Sequence, residues 1–212
     1  MTTLSGPALE PQQGDIKNLV IIFHGYGADG DNLIDLGQSW APLLPNTAFV
    51  APNGLKPCEM GFGYQWFSLE EKTADLVQER LRGISAEVSS YINSQAEHYN
   101  VPLSRVALVG FSQGSMLAIH QGVYGLKECA GVLGYSGGFT KDESLKAICT
   151  PATLLCHGEA DEVVPVGFSI QGQEDLAEMG CESRVITSSG VGHEISEEGF
   201  KAGGVFLKEV LK

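Results

Sequence analysis

Five residues, Gly110-Phe111-Ser112-Gln113-Gly114, constrain this chain more than any other segment. They stand directly between an apolar, branched run at 105–109 and a stretch with helical character at 112–125. A glycine-flanked serine at a strand-to-helix turn is a nucleophile elbow, so sharply bent that the serine takes a strained backbone and its neighbours must be small. The N-terminus of the following helix faces the serine and favours negative charge that develops beside it.

An elbow of this kind needs a sheet, and the remaining sequence supplies one. Short apolar runs recur at 19–23, 48–51, 130–135, 153–156 and 184–187, with the length and branching of buried parallel strands. Between them, Val77, Leu81, Ile84, Val88, Tyr91 and Ile92 share one helical face that Asn100 and Pro102 close, and further helical stretches fall at 166–180 and 194–211. The alternation predicts an α/β fold with a mostly parallel central sheet and helices on both faces. At 22.6 kDa, folding buries roughly 70% of the chain's surface, enough for a core without disulfide staples. No repeat, low-complexity tract or linker marks a boundary, so 1–212 reads as a single domain, with 1–15 a loosely ordered N-terminal segment. The one long irregular stretch, 52–69, holds Met60, Phe62, Tyr64, Trp66 and Phe67, and loops of that length usually serve function.

Charge narrows the function. The formal net charge is −13, a field that repels phosphate backbones and anionic surfaces, so no nucleic-acid partner is expected. The longest unbroken aliphatic or aromatic run, 19–23, falls far short of the roughly 18 residues of a membrane span, so stable membrane insertion is not expected. The start, MTTLSGPALEPQQGDIK, lacks the basic and apolar regions of a secretory signal, which predicts a cytoplasmic protein. Cys58, Cys129, Cys149, Cys156 and Cys181 are odd in number with no C-x-x-C spacing, and read as free thiols in a reducing compartment; no metal site is expected.

A serine nucleophile needs a base and an acid, which in this topology follow it in the order Ser, acid, His, each at the carboxyl end of a later strand. His120 lies inside the helix after the elbow, and His157 precedes every plausible acid except Asp142. His193, in Gly190-Val191-Gly192-His193-Glu194, follows the 184–187 run and is the base. Asp142 sits in a Lys-Asp-Glu cluster read as solvated, and Asp175 falls mid-helix. Asp161, after the 153–156 run, is the acid, with Glu159 its rival two residues earlier.

The oxyanion hole calls for two backbone N–H groups. Gln113 supplies one by position, and Tyr26, in Phe23-His24-Gly25-Tyr26-Gly27, supplies the other; the two side chains are read as incidental. His24 reads as an anchor for this loop. Gly25-Tyr26-Gly27-Ala28-Asp29-Gly30 also matches the dinucleotide pattern G-x-G-x-x-G, but the second strand ends Val50-Ala51-Pro52-Asn53-Gly54, with no acid to grip a ribose, which speaks against an NAD-dependent oxidoreductase.

The segments HGYGADGDN, APNG with the later QWF, GFSQGS, HGEADEVVPV and GHEIS resemble the carboxylesterase, lysophospholipase and acyl-protein thioesterase family of small α/β-hydrolases, from about Leu19 to the C-terminus. The resemblance implies a serine hydrolase of carboxylic esters, thioesters or lysophospholipids acting through Ser112, Asp161 and His193, with no cofactor and no large cap domain. Its substrate would be a small or lipid-like acyl ester, and a homodimer is compatible with it. Ser115 and Tyr26 depart from the family's commoner glycine and leucine. With no cap, loops must wall the pocket: Met60, Phe62, Tyr64, Trp66, Phe67 and Val164 are expected to line an apolar acyl groove, the alternative being ordinary core packing, and Val163 and Pro165 could add to it. A rival from another class, a non-catalytic binding module on the same fold, would show a broken triad.

Overall fold

Every one of the apolar runs becomes a strand whose ends fall within two residues of the run. The computed structural model describes residues 4–11, 14–71 and 73–212. In chain order the elements are β1 (Ala8–Leu9), β2 (Asn18–Phe23), α1 (Gly30–Trp40), β3 (Thr47–Val50), β4 (Lys56–Pro57), β5 (Tyr64–Gln65), α2 (Ala74–His98), β6 (Val106–Phe111), α3 (Gln113–His120), β7 (Gly131–Tyr135), β8 (Thr153–Gly158), α4 (Gly167–Glu178), β9 (Ser183–Ser188) and α5 (Glu197–Val210). A π-turn, Gln121–Gly125, prolongs α3 to the end of the expected helical stretch.

The main sheet has the order β1-β3-β2-β6-β7-β8-β9, parallel except for β1. Strand pleating sends Leu19, Ile21 and Phe23 to one face and Val20 and Ile22 to the other. The first face packs Leu81, Val88 and Ile92 of α2, Leu117 of α3 and Leu176 of α4. The second packs Ile34 and Trp40 of α1 with Phe206 and Leu207 of α5, and Trp40 stacks on Phe200 at 5.3 Å. From β2 the chain steps outward to β3, then returns to lay β6 against the other side of β2. The crevice beyond the carboxyl ends of β2 and β6 is therefore the topological switch point, where open α/β sheets bind ligands.

Two elements differ from the sequence reading. The N-terminal segment is docked where it is described: Leu4 is buried, the N–H groups of Asn53 and Ala51 donate to the carbonyls of Ser5 and Pro7, and Ala8 pairs with Val50. Met1, Thr2, Thr3, Gln12 and Gln13 of that segment lie outside the described residues. Helix α1 was not expected; Asp29 caps it, accepting from the Asn32 N–H while Asn32 returns the bond to the Asp29 N–H.

Among the described residues, 136–152 between β7 and β8 carry no helix or strand, so nothing the size of a cap domain covers the sheet edge. No described helix is long and apolar enough to cross a membrane. All five cysteines are free thiols, and Cys149 alone is only half-buried.

Candidate active site

Ser112 sits between β6 and α3 at φ 53° and ψ −116°, a left-handed backbone rare for a residue with a side chain. The flanking glycines make the turn possible: a Cβ on Gly110 would strike the Gly114 carbonyl, and one on Gly114 would strike the Phe23 carbonyl. The Ser112 N–H donates to the Tyr135 carbonyl at 2.8 Å, which pins the elbow to β7.

His193 and Asp161 arrive on loops after β9 and β8. These loops touch because Gly158 has no side chain; a Cβ there would strike the Val191 carbonyl, and the Ala160 N–H donates to that carbonyl at 2.9 Å. His193 Nε2 stands 3.0 Å from Ser112 Oγ, and its Nδ1 stands 2.7 Å from Asp161 Oδ2. A carboxylate only accepts, so Nδ1 carries the proton and Nε2 is left to accept from the serine hydroxyl. Burial alone would push the Asp161 carboxyl up, but the hydrogen bond from His193, with those from the N–H groups of Val164 and Val163 at 2.9 Å, outweighs it and holds the group below the usual carboxylate range. Glu159, the rival acid, instead takes the Thr187 hydroxyl at 2.9 Å in an exposed position. Asp142 is not solvated; it is buried, paired with Arg82 and bonded by Ser144.

The N–H groups of Gln113 and Tyr26 have no acceptor among the described residues, while the adjacent Gly27 N–H is taken by the Tyr64 carbonyl at 2.9 Å. His24 fixes this loop as expected: its Nδ1–H donates to the Gly25 carbonyl at 2.7 Å and its Nε2 accepts from the Gly54 N–H at 2.8 Å. The side chains differ from one another. Tyr26 only reaches out to Glu59, but Gln113 is buried and far from incidental: Oε1 takes the Trp66 N–H at 2.9 Å and Nε2 donates to the Phe67 carbonyl at 2.8 Å.

A cavity of about 780 Å³ opens from Ser112 and His193. Helix faces supply two of its walls, Ala74, Val77, Gln78 and Leu81 of α2 and Met116 and His120 of α3, and the loops at 138–140 and 163–165 and Phe168 of α4 add to them. Of the residues expected to line an acyl groove, Met60 and Val164 do, together with Val163 and Pro165. Phe62, Tyr64, Trp66 and Phe67 do not. Phe62 is 63% exposed at the tip of the β4–β5 hairpin, and the Tyr64 backbone brackets Ala28. Trp66 and Phe67 belong to the core, where the Trp66 indole donates to the His24 carbonyl at 2.9 Å and meets Phe23 edge-on. Trp66 faces inward and buttresses the Tyr26 loop from behind, its ring 5.1 Å from the His24 imidazole. Met116 and His120 escaped the sequence reading although they follow Ser112 at four-residue steps on one side of α3, a spacing that could have revealed them. Ser115 is fully buried, with Gly134 and Gly137 packed against it.

A family model described as phospholipase/carboxylesterase matches residues 5–211. The crystal structure of esterase PE8 is 35% identical, superposes with a TM-score of 0.93, and the match covers 99% of this chain and 100% of that one. Esterase YpfH of Escherichia coli (strain K12) is 27% identical over 181 residues, 84% of this chain and 77% of its own. Acyl-protein thioesterase 1 of Debaryomyces hansenii is 29% identical over 219 residues, 92% of each chain.

Proposed function

The chain belongs to the phospholipase/carboxylesterase family and is an ester-hydrolysing enzyme, and from that premise we propose that it cleaves carboxylic esters and thioesters through Ser112, His193 and Asp161 by way of an acyl-enzyme. His193 Nε2 takes the hydroxyl proton as Ser112 Oγ attacks the acyl carbonyl, and Asp161 holds the imidazole in the tautomer and orientation this needs. The N–H groups of Tyr26 and Gln113 receive the oxyanion. Collapse of the tetrahedral intermediate expels the alcohol or thiol with the proton from His193, and water repeats the sequence to release the acid. The acyl chain lies in the groove between α2 and α3, and lipid-like acyl esters are the substrate class that fills it. Kinship with a relative named acyl-protein thioesterase brings S-acylated peptides into the same class.

The observation that carries this reading is the continuous chain of contacts from Ser112 Oγ through His193 to Asp161, at 3.0 and 2.7 Å. Its test is hydrolysis of p-nitrophenyl acetate together with fluorophosphonate labelling. The full chain should turn over the ester and label only at Ser112, and Ser112→Ala should do neither while keeping its fold. Labelling elsewhere, or turnover by the alanine variant, overturns the assignment; a folded protein with no turnover at all would point to a binding module.

A further inference from the structure

Three of the five cysteines stand at the amino ends of three neighbouring strands, at the edge of the sheet opposite the elbow. Cys129 lies two residues before β7, Cys149 four before β8 and Cys181 two before β9. The register pairs Val132 with Thr153 and Thr153 with Ser183, so the topology delivers the three thiols side by side in strand order. Adjacent strands run about 4.8 Å apart, within the roughly 4.4–6.8 Å between Cα atoms that a disulfide spans.

Contacts single out one pair of the three. The segment before β8 rests on the π-turn after α3, where the Cys149 N–H donates to the Val123 carbonyl at 3.3 Å. Cys129 meets the same turn, for a Cβ on Gly122 would stand 3.7 Å from Cys129 Sγ and 3.4 Å from Pro151. The hydrogen-bond partners of Cys149 Sγ are the Cys129 thiol and the N–H groups of Cys129 and Thr150. Cys129 is buried, whereas Cys149 is half-buried and open to a small reagent. The hydrogen bond from the Cys129 thiol, with those N–H donors, outweighs burial and the nearby Glu128 and holds the Cys149 thiol down to about 6. The same bond, with burial and the neighbouring Cys181, pushes Cys129 well above the usual thiol range. At neutral pH Cys149 is therefore largely thiolate, the form that attacks, and Cys129 keeps its proton.

We propose that Cys129 and Cys149 form a redox-modification site for hydroperoxides, with Cys149 the attacking thiol and Cys129 the thiol that resolves it into a disulfide. The Cys149 thiolate attacks one peroxide oxygen and the O–O bond breaks. Sulfur is oxidised to a sulfenic acid, and the other oxygen departs as hydroxide or alkoxide and takes up a proton. The Cys129 sulfur then attacks the Cys149 sulfur, giving up its own proton, and the S–S bond forms as the sulfenic hydroxyl leaves as water. Two thiols and one hydroperoxide thus become one disulfide, one water and one alcohol, or two waters when the oxidant is hydrogen peroxide. The bond closes a ring that contains β7 and the groove-lining residues 138–140, yet it lies at the other edge of the sheet from Ser112, so the site stands apart from the hydrolase reading.

The test exposes the full chain to hydrogen peroxide, blocks the remaining thiols with iodoacetamide and maps cross-linked peptides by mass spectrometry without reductant. One cross-link, Cys129 to Cys149, should form and be reversed by dithiothreitol. In the chain before oxidation, iodoacetamide should alkylate Cys149 at least about tenfold faster than Cys58, Cys156 or Cys181. Cys149→Ser should leave Cys129 a free thiol under the same treatment, and Cys129→Ser should strand Cys149 as a sulfenic acid that dimedone traps. Thermal melting shows whether each variant is folded, and where one is not, the cross-link and the alkylation rates of the unaltered chain decide alone. A cross-link through Cys181, no cross-link at all, or a Cys149 no faster than the other thiols overturns the site, as does oxidation of Cys129 in a folded Cys149→Ser chain.

Discussion

His157 Nε2 stands 3.1 Å from Asp161 Oδ2, the same carboxylate oxygen that takes the Nδ1–H of His193. The Val164 carbonyl, 2.8 Å from that nitrogen, can only accept, so His157 Nε2 carries a proton and shares it with Asp161. A second, buried imidazole therefore holds the acid in place. His157→Gln should lower kcat about tenfold with little change in KM, the worth of one hydrogen bond to a charged group. Asp161→Asn should cost about 10⁴ in kcat by favouring the wrong tautomer of His193. Steady-state kinetics on p-nitrophenyl acetate measure both; a His157 variant as damaged as the Asp161 variant, or undamaged, would refute a positioning role.

The backbone of Ser112 makes a separate claim about stability. At φ 53° the residue stores on the order of 1–3 kcal/mol of strain, and its side chain makes no capping hydrogen bond that would be lost on substitution. Ser112→Gly releases the strain and gives back part of it, up to about 1 kcal/mol, in unfolded-state entropy. Its Tm should therefore exceed that of Ser112→Ala by roughly 2–4 °C, although both should be inactive. Calorimetry showing the glycine variant melting lower would mean that the elbow is not strained.

The oxyanion assignment predicts a contrast at one position. Tyr26→Phe loses only a contact with Glu59 and should keep kcat within a few-fold. Tyr26→Pro deletes the N–H and should lower kcat by roughly 10²–10³, provided circular dichroism shows it folded. Gly27 offers no substitute, since its N–H is already bound to Tyr64. Near-normal kcat in a folded proline variant would remove Tyr26 from the hole.

His120 also leaves a signature in acid. Its folded-state value of about 4 lies below the unfolded value of about 6.5, so the unfolded chain binds the extra proton first. The stability of the neutral buried ring is present in full above pH 6.5 and is lost as pH falls from there towards 4, by about 3 kcal/mol at 1.36 kcal/mol per unit. Denaturant melts at pH 7 and pH 4 should show a loss larger by about that amount in the wild-type chain than in His120→Leu. Equal losses would mean that the ring is protonated inside the fold.

The sheet was legible because parallel strands buried on both faces leave unbroken apolar runs, and the triad because its order along the chain follows from the order of strand ends. Residues 52–69 misled for a physical reason: an aromatic ring in a loop can face a groove or the core, and sequence does not say which. Trp66 went inward because its indole N–H finds the His24 carbonyl there. Strand β1 is two residues long and antiparallel, too short to show a period. Helix α1 begins at Gly30, whose weak helix propensity hides the Asp29 cap, and Gly30 is required because a Cβ there would strike the Ala51 carbonyl. The groove itself exists only once α2 lies beside α3, with Val77 and Leu81 on one helix and Met116 on the other.

Ser112, Met116 and His120 turn α3 into a ruler with coarse graduations. A wall built from one helix face offers new side chains only once per turn, about 5.4 Å, the reach of roughly four to five methylene groups. If the acyl chain runs along this face as proposed, enlarging a single side chain there should shorten the accepted acyl group by a whole division, with no value between. Relatives that keep the elbow and change only these rungs would therefore fall into discrete size classes of substrate instead of a graded series.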